Sequence, residues 1–210
     1  TIHGNLQTMH DAIITNGRFK AGQTIMIQGA SSGVGLMGLQ IARAKGAKLV
    51  IGSSTNAERR ARLSEFGAGL VINSQDDGWV DRVLEATDGA GVDVTIDMLS
   101  GNVMNKNMEA TAIHGYVINI GRLAGMVGEF NFDLHARRRL NYVGTTGRTR
   151  SIDDNVQVAR LANDDLWTFV LNGEIKSPID KVFDLEDAAI ALDRMNNNQH
   201  FGKIALLVGD

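Results

Sequence analysis

The sequence predicts an α/β fold, a doubly wound parallel sheet of about six strands with helices on both faces. Short apolar runs alternate along the chain with segments whose apolar residues recur at helical spacing. A turn made almost entirely of small residues, Gly29 to Gly35, joins the first apolar run to a helical pattern. With one proline and no low-complexity stretch in 210 residues, no linker is visible, and we expect one domain.

The small-residue turn is typical of a nucleotide site. Thr24 to Gln28 is a predicted buried strand, and a helix is predicted from Val34 until Gly46 ends it. The turn has the spacing Gly-x-x-x-Gly-x-Gly, one residue more than the common G-x-G-x-x-G pattern. Glycines let the backbone approach a pyrophosphate, and a helix N-terminus offers free N–H groups to it. The turn therefore predicts the first half of a Rossmann dinucleotide-binding unit; the alternative is a tight crossover that binds nothing.

The other strands and helices follow in alternation. Strands are predicted at Lys48 to Gly52, Leu70 to Asn73, Val92 to Met98, Tyr116 to Ile120, Leu140 to Thr145, Ile179 to Phe183 and Lys203 to Val208. Helices are predicted at Asn5 to Asn16, Asn56 to Gly67, from Asp77, near Asn102 to Ala112, at Asp133 to Arg139, at about Asn155 to Leu171 and from Asp184. Three of these helices begin with a residue of the N-capping type: Asn56, Asp77 and Asp184. In the last helix, Leu185, Ala188, Ala189 and Leu192 are expected to face inward.

The end of the second strand bears on the choice of cofactor. In this fold a residue about 20 positions beyond the glycine turn meets the adenosine ribose, and an acidic residue there repels a 2′-phosphate. Residues 53–55 are neutral hydroxyl residues here, and Arg59 and Arg60 follow them. Hydroxyl groups with a guanidinium suit a phosphate dianion, so NADP (NADPH) is predicted over NAD. The alternative is that the two arginines form a solvated helix face paired with neighbouring glutamates.

Composition limits the partners. A net charge of −3 gives no reason to expect nucleic acid or an anionic membrane, and no apolar run approaches the length of a membrane span. There is no signal-peptide pattern and no cysteine, which fits a cytoplasmic location. The five histidines share no metal-ligand spacing, so no metal site is expected within the chain.

Several stretches, in the same order along the chain, resemble the medium-chain dehydrogenase/reductases, in their quinone oxidoreductase (zeta-crystallin-like) and zinc-type alcohol dehydrogenase-like branch. They are Leu6-Gln7-Thr8, Gln28 to Gly35, Gly67-Ala68 followed by Val71-Ile72-Asn73, Gly91-Val92-Asp93-Val94 with Asp97, Ile179 to Phe183, and Phe201-Gly202-Lys203-Ile204. The longer glycine turn is usual in the quinone oxidoreductase branch. Ser74 stands where many relatives have a tyrosine near the adenine.

The resemblance implies a homodimeric, NADPH-dependent oxidoreductase that transfers hydride to a quinone, an enone or a related carbonyl compound. It also implies a set of cofactor contacts. Thr8 would approach the nicotinamide, and Leu99 and Gly121 would line the adenosine and nicotinamide ends. The remaining contacts would be to the pyrophosphate (Ser32, Gly33, Val34) and to the 2′-phosphate (Ser53, Ser54, Arg59).

In this family the cofactor lies between such a domain and an N-terminal, GroES-like catalytic domain. We therefore expect residues 1–210 to be the NAD(P)-binding domain of a longer enzyme, with segments 1–22 and 179–210 adjoining the other domain. No catalytic residue is expected in this chain, and the chain alone is expected to be inactive. The alternatives are the cofactor domain of a zinc-dependent alcohol dehydrogenase or an enoyl reductase, or a non-catalytic nucleotide-binding module.

Overall fold

A computed structural model describes residues 2–209. The strands are β1 (Thr24–Ile27), β2 (Leu49–Ser53), β3 (Leu70–Ile72), β4 (Val92–Asp97), β5 (Thr111–Asn119), β6 (Asn141–Gly144), β7 (Ile179–Asp184) and β8 (Lys203–Leu207). The α-helices are α1 (Ile2–His10), α2 (Gly33–Ala44), α3 (Ala57–Ala61), α4 (Trp79–Ala86), α5 (Met104–Ala110), α6 (Phe132–Arg138), α7 (Ile152–Leu171) and α8 (Ala188–Asn196). A π-helical segment, Asp11–Asn16, continues α1.

Six strands form one parallel sheet in the order β3-β2-β1-β4-β5-β6. The predicted fold class is confirmed. The strand order reverses beside β1, because β2 lies on one side of β1 and β4 on the other. In sheets of this kind, ligands bind in the crevice outside the carboxyl ends of the strands at such a reversal.

The central strand shows why both faces of the sheet are covered. Ile25, Met26 and Ile27 are fully buried, and successive side chains of a strand point to opposite faces. Ile25 and Ile27 belong to a core cluster with residues of α1, α2 and α7, whereas Met26 packs in a second cluster with Trp79 of α4. Burial on two sides explains why β1 is a continuous apolar run rather than an alternating one.

The predicted helix caps have different outcomes. Asn56 caps α3 by accepting a hydrogen bond from the Arg59 N–H at 2.9 Å, as predicted. The Asp77 cap is wrong, because α4 begins one residue later behind Gly78, and the Asp77 carboxylate lies 3.3 Å from Lys106 Nζ instead. The predicted helix from Asn56 is interrupted, since α3 gives way to a 3-10 turn at Leu63–Phe66.

The C-terminal part is a separate two-stranded parallel sheet, β7-β8. Helix α8 connects its two strands and contacts both of them. This part is joined to the glycine turn by a hydrogen bond from the Gly202 N–H to the Ser31 carbonyl, at 3.3 Å. The prediction that Leu185 and Leu192 face inward is wrong: they are 51% and 53% exposed. No other part of residues 2–209 covers that apolar face. Within the same residues, the helices are too short or too polar to cross a membrane.

A side chain at position 35 should destabilise the fold for steric reasons. A Cβ at this position would lie 2.6 Å from the Ala30 Cα, and the backbone there cannot yield as a side chain can. We expect Gly35→Ala to lower the free energy of unfolding by about 1–3 kcal/mol, measured by urea denaturation. The matched control is Gly4→Ala on α1, whose added methyl group meets nothing within 4 Å. An equal effect of the two substitutions would contradict this explanation.

Candidate functional site

A cavity of about 410 Å³ lies at the carboxyl ends of β1, β2 and β4, where the strand order reverses. Its wall combines the glycine turn, the end of β2, the loop after β4 and the segment after α8. The lining residues are Gly29, Ser31, Ser32, Ser53, Ser54, Thr55, Arg59, Ser74, Leu99, Leu123, Met195, Asn198 and His200. We call it the first cavity.

The glycine turn brings a helix N-terminus to this cavity. Gly29 has a φ of +73°, a conformation that favours glycine. Ser32 is the N-cap of α2, and its hydroxyl accepts a hydrogen bond from the Gly35 N–H at 3.0 Å. The close approach of Gly35 to the Ala30 backbone turns the chain directly from strand into helix. Such a turn followed by a 12-residue helix can receive a phosphate group on its backbone N–H groups.

The two serines at the end of β2 differ in their surroundings. Ser53 is fully buried, accepts a hydrogen bond from the Gly29 N–H at 2.9 Å and donates one to Gln28 Oε1 at 2.6 Å. Ser54 donates to the Ser31 hydroxyl across the turn, at 3.1 Å. Ser53 therefore fixes the position of the turn, and Ser54 places its hydroxyl beside that of Ser31 at the cavity.

The two arginines that follow β2 also differ. Arg60 donates hydrogen bonds to the carbonyls of Ser54 and Thr55, at 2.8 and 3.3 Å, and so holds the end of the strand. Arg59 reaches across the cavity to Asn198 and bonds to its side chain at 2.9 Å and to its backbone carbonyl. Of the two guanidinium groups, only that of Arg59 lines the cavity.

Asn198 and His200 are site residues that the sequence interpretation missed. They lie about 140 positions beyond Arg59, and no local pattern marks them as polar residues of a β1–β2 cavity. Burial, and next the charge of Arg59, lower the pKa of His200. The imidazole is therefore neutral near pH 7, because its ordinary pKa is already about 6.5.

The structure brings together five of the nine predicted cofactor residues: Ser32, Ser53, Ser54, Arg59 and Leu99 all line the first cavity. Gly33 and Val34 form the first turn of α2 beside it without lining it. The other two predicted residues are not at this cavity. The Thr8 side chain is exposed on α1 and its hydroxyl donates to the Gly4 carbonyl at 2.7 Å. Gly121 lies against the Met98 backbone, where a Cβ would be 2.7 Å from the Met98 carbonyl oxygen.

A chain of buried polar side chains runs beneath the first cavity. Ser53 donates to Gln28, and Gln28 Nε2 donates to Asn107 Oδ1 at 2.8 Å. The next polar group is Asp97, which ends β4 and is fully buried. Its Oδ1 accepts the N–H groups of Leu99 and Ser100, at 2.8 and 3.0 Å. These bonds set the backbone of the loop after β4, which carries Leu99 into the cavity wall.

Asp97 is only partly satisfied by these bonds. Its Oδ2 has no hydrogen-bond partner among residues 2–209, and the same holds for Asn107 Nδ2. Burial raises the pKa of Asp97, while the Ser100 and Leu99 N–H groups and the nearby Asn119 and Asn107 side chains oppose this rise. Burial therefore disfavours the ionised form of Asp97.

The raised pKa of Asp97 predicts a pH-dependent stability. The native state holds the Asp97 proton more tightly than the unfolded chain, whose Asp pKa is about 3.9. This contribution to stability is complete below that value and is lost as the pH rises through the raised pKa. Relative to wild type, Asp97→Asn should therefore gain stability as the pH increases from about 4 to 7. Urea denaturation across this range measures it; a constant difference between the two proteins would contradict it.

Known proteins are similar to this chain over nearly its whole length. Quinone oxidoreductase of Rattus norvegicus is 28% identical over 198 residues, which cover 94% of this chain and 58% of the rat protein. The highly reducing polyketide synthase dmxL2 of Cryptosporiopsis is 28% identical over 209 residues, or 98% of this chain and 8% of the synthase. The chain therefore spans only part of the curated relatives that it matches.

Solved structures share the fold. A quinone oxidoreductase of Pseudomonas syringae superposes with a TM-score of 0.81 at 26% identity, covering 97% of this chain and 62% of that one. An NAD-dependent alcohol dehydrogenase gives a TM-score of 0.83 at 26% identity, with 98% and 57% covered. The CurF ER cyclopropanase of curacin A biosynthesis gives 0.81 at 26% identity, with 99% and 61% covered.

The family model described as zinc-binding dehydrogenase matches residues 33–163. Between residues 2 and 209, no three His, Asp or Glu side chains lie close enough together to hold a metal ion, so these residues contain no zinc site. The family match nevertheless spans more than half of the chain and includes the glycine turn's helix, the end of β2 and the loops after β4 and β5. The chain therefore belongs to the zinc-binding dehydrogenase family, as the cofactor-binding domain of a medium-chain dehydrogenase/reductase.

Proposed function

We propose that this chain is the NADPH-binding part of an oxidoreductase that transfers hydride to a quinone, an enone or a related carbonyl substrate. One observation carries the proposal. The first cavity combines a glycine turn and a helix N-terminus with the Arg59 guanidinium at the end of β2, and none of its lining residues is acidic.

The cavity fits a dinucleotide. The turn offers backbone N–H groups and the helix dipole to a pyrophosphate. Gly33 starts the helix, and the Lys203 side chain packs against it. Leu99 and Leu123 supply apolar surface to the same cavity. A combination of polar groups and apolar side chains is what a nucleotide with flat rings requires.

The preference for NADPH over NADH follows from charge. A carboxylate at the end of β2 would repel a 2′-phosphate, and this position holds Ser54 and Thr55 instead. Arg59 can replace its bonds to Asn198 with stronger, charge-assisted bonds to a phosphate. The similarity to an NAD-dependent alcohol dehydrogenase makes NADH the competing cofactor.

The residues of this chain would bind and orient the cofactor rather than transfer protons. When bound, NADPH supplies the hydride, and the gain in rate comes from holding it beside the acceptor in the correct geometry. Asp97 would contribute by fixing the loop with Leu99 through its two backbone hydrogen bonds. We assign no catalytic residue to this chain. The quinone or enone substrate class rests on the similarity to quinone oxidoreductases.

The Arg59 assignment can be tested by equilibrium binding. Arg59→Ala should weaken NADPH binding by about tenfold to a hundredfold, the effect of losing charge-assisted hydrogen bonds. NADH binding should change far less, because it lacks the 2′-phosphate. Calorimetric titration of both nucleotides at one ionic strength measures this. The matched control is Arg160→Ala, which removes the same charge from the exposed face of α7. Equal weakening of NADPH and NADH would contradict the proposed contact.

We further propose that the protein is a homodimer joined through β6. This strand is an edge of the six-stranded sheet, and Tyr142 on it is 44% exposed. The Thr145 N–H donates to the Asn119 carbonyl on β5. Because successive N–H groups of a strand point to opposite sides, the neighbouring Gly144 N–H points away from the sheet. An edge with unpaired N–H and C=O groups can pair with a second copy.

Gly144→Pro tests the dimer, because proline removes this outward N–H donor. Sedimentation equilibrium should show a dimer for wild type and a shift toward monomer for the variant. An unfolding curve of the variant serves as the control for its fold. A wild-type monomer at all concentrations, or a dimer unchanged by the substitution, would refute pairing through β6.

A further inference from the structure

A second cavity, of about 340 Å³, lies beside the first at the carboxyl ends of β4 and β5. Two loops, the one after β4 and the one after β5, separate the cavities. Leu99 and Leu123 line the first cavity, whereas their neighbours in sequence, Ser100 and Arg122, line the second. A ligand in the second cavity would therefore lie one loop away from a ligand in the first.

Close backbone contacts build this shared wall. A Cβ on Gly121 would lie 2.7 Å from the Met98 carbonyl oxygen, and one on Gly128 would lie 2.5 Å from the Gly101 carbonyl carbon. The loops can approach this closely only because these positions carry no side chain. Packed backbone therefore holds the two loops together, and side chains of both loops line the cavities on either side of it.

Ser100 holds the two loops together in an unusual conformation. Its φ is +58°, a region that favours glycine. Its hydroxyl donates to the Gly121 carbonyl at 2.7 Å and accepts a hydrogen bond from the Asn119 side chain. Non-glycine residues in such conformations occur preferentially at functional sites. The bonds of Ser100 therefore join the loop after β4 to the end of β5 and the loop that follows it, beside the second cavity.

Aromatic and sulfur-containing side chains form the apolar side of the second cavity. The Phe130 ring lies 5.9 Å from the Tyr142 ring and 5.4 Å from the His135 ring. Met104 is buried beneath them. Surfaces of this type suit a flat, conjugated ligand.

The charge in the second cavity comes from Arg122 and Glu129. Between residues 2 and 209, neither side chain has an ion pair or a hydrogen bond. Arg122 and Tyr142 line the same cavity. Burial and the charge of Asp97 raise the pKa of Tyr142, whereas Arg122 lowers it. Arg122 is thus a cation available to a ligand, and Glu129 disfavours a ligand with a second negative charge.

We propose that the second cavity binds the substrate, and that the substrate is a planar conjugated carbonyl compound with one acidic group held by Arg122. A guanidinium binds a carboxylate, sulfonate or phosphate through two parallel hydrogen bonds. The conjugated part then packs on Phe130 and Tyr142, one loop away from the cofactor cavity. This inference rests on the proposed function, because it places the hydride acceptor beside the proposed NADPH site.

The experiment compares two quinones that differ by one acidic group, 1,4-naphthoquinone-2-sulfonate and 1,4-naphthoquinone. Dissociation constants are measured by calorimetry for wild type, Arg122→Gln and Glu129→Gln. Arg122→Gln should weaken binding of the sulfonate by about tenfold or more, and should leave the neutral quinone and NADPH nearly unchanged. Glu129→Gln should strengthen sulfonate binding. The chain has no cysteine that could form adducts with the quinones.

Equal losses for the two quinones would mean that Arg122 acts through packing, and would overturn the proposal. Unchanged sulfonate binding in Arg122→Gln, or wild-type binding of the sulfonate no tighter than of the neutral quinone, would overturn it as well. The NADPH titration of wild type is read separately. Absence of NADPH binding would refute the proposed function, whereas the quinone measurements, made without nucleotide, would still decide whether the second cavity takes an anionic quinone.

Discussion

The hydrogen bond from the Gly29 N–H to the Ser53 hydroxyl joins the turn after β1 to the end of β2. Gly29 is in a left-handed conformation, so its amide cannot continue the strand and needs a partner elsewhere. Ser53 supplies that partner and passes a hydrogen bond on to Gln28, which in turn bonds to Asn107 on α5. The position of the turn, and therefore of the helix N-terminus behind it, depends on side chains from two other elements, β2 and α5.

These buried polar groups give precision at the expense of stability. A buried hydrogen-bonded network defines one arrangement of its members, while every unsatisfied atom in it is costly. Asp97 Oδ2 and Asn107 Nδ2 are such atoms among the described residues. The strained Ser100 adds a further cost directly beside them. Costs of this kind, placed together between two cavities, are typical of a site whose geometry matters more than its stability.

The sequence was sufficient for the features that depend on local pattern. Burial on two faces makes β1 a continuous apolar run, and the steric needs of the turn appear directly as glycines, so the fold class and the glycine turn could be predicted. The surroundings of single side chains could not be predicted from the sequence. Whether Ser53 or Ser54 has a hydroxyl available depends on Gln28, and the role of Asp77 depends on where α4 begins. Asn198 enters the cavity only because β7 and β8 return to the glycine turn.

The contact between Arg59 and Asn198 has a consequence for binding. It joins the helix after β2 to the segment after α8, on opposite sides of the first cavity. A phosphate at Arg59 must displace at least part of this contact, so the bonds to Asn198 reduce the net gain from the new ones. In the proposed site, a nucleotide without the phosphate would leave the contact intact. Selectivity between the two nucleotides would then be the difference between guanidinium bonds to a charged phosphate and guanidinium bonds to the neutral acceptors of Asn198. This difference is smaller than the full strength of the phosphate contact.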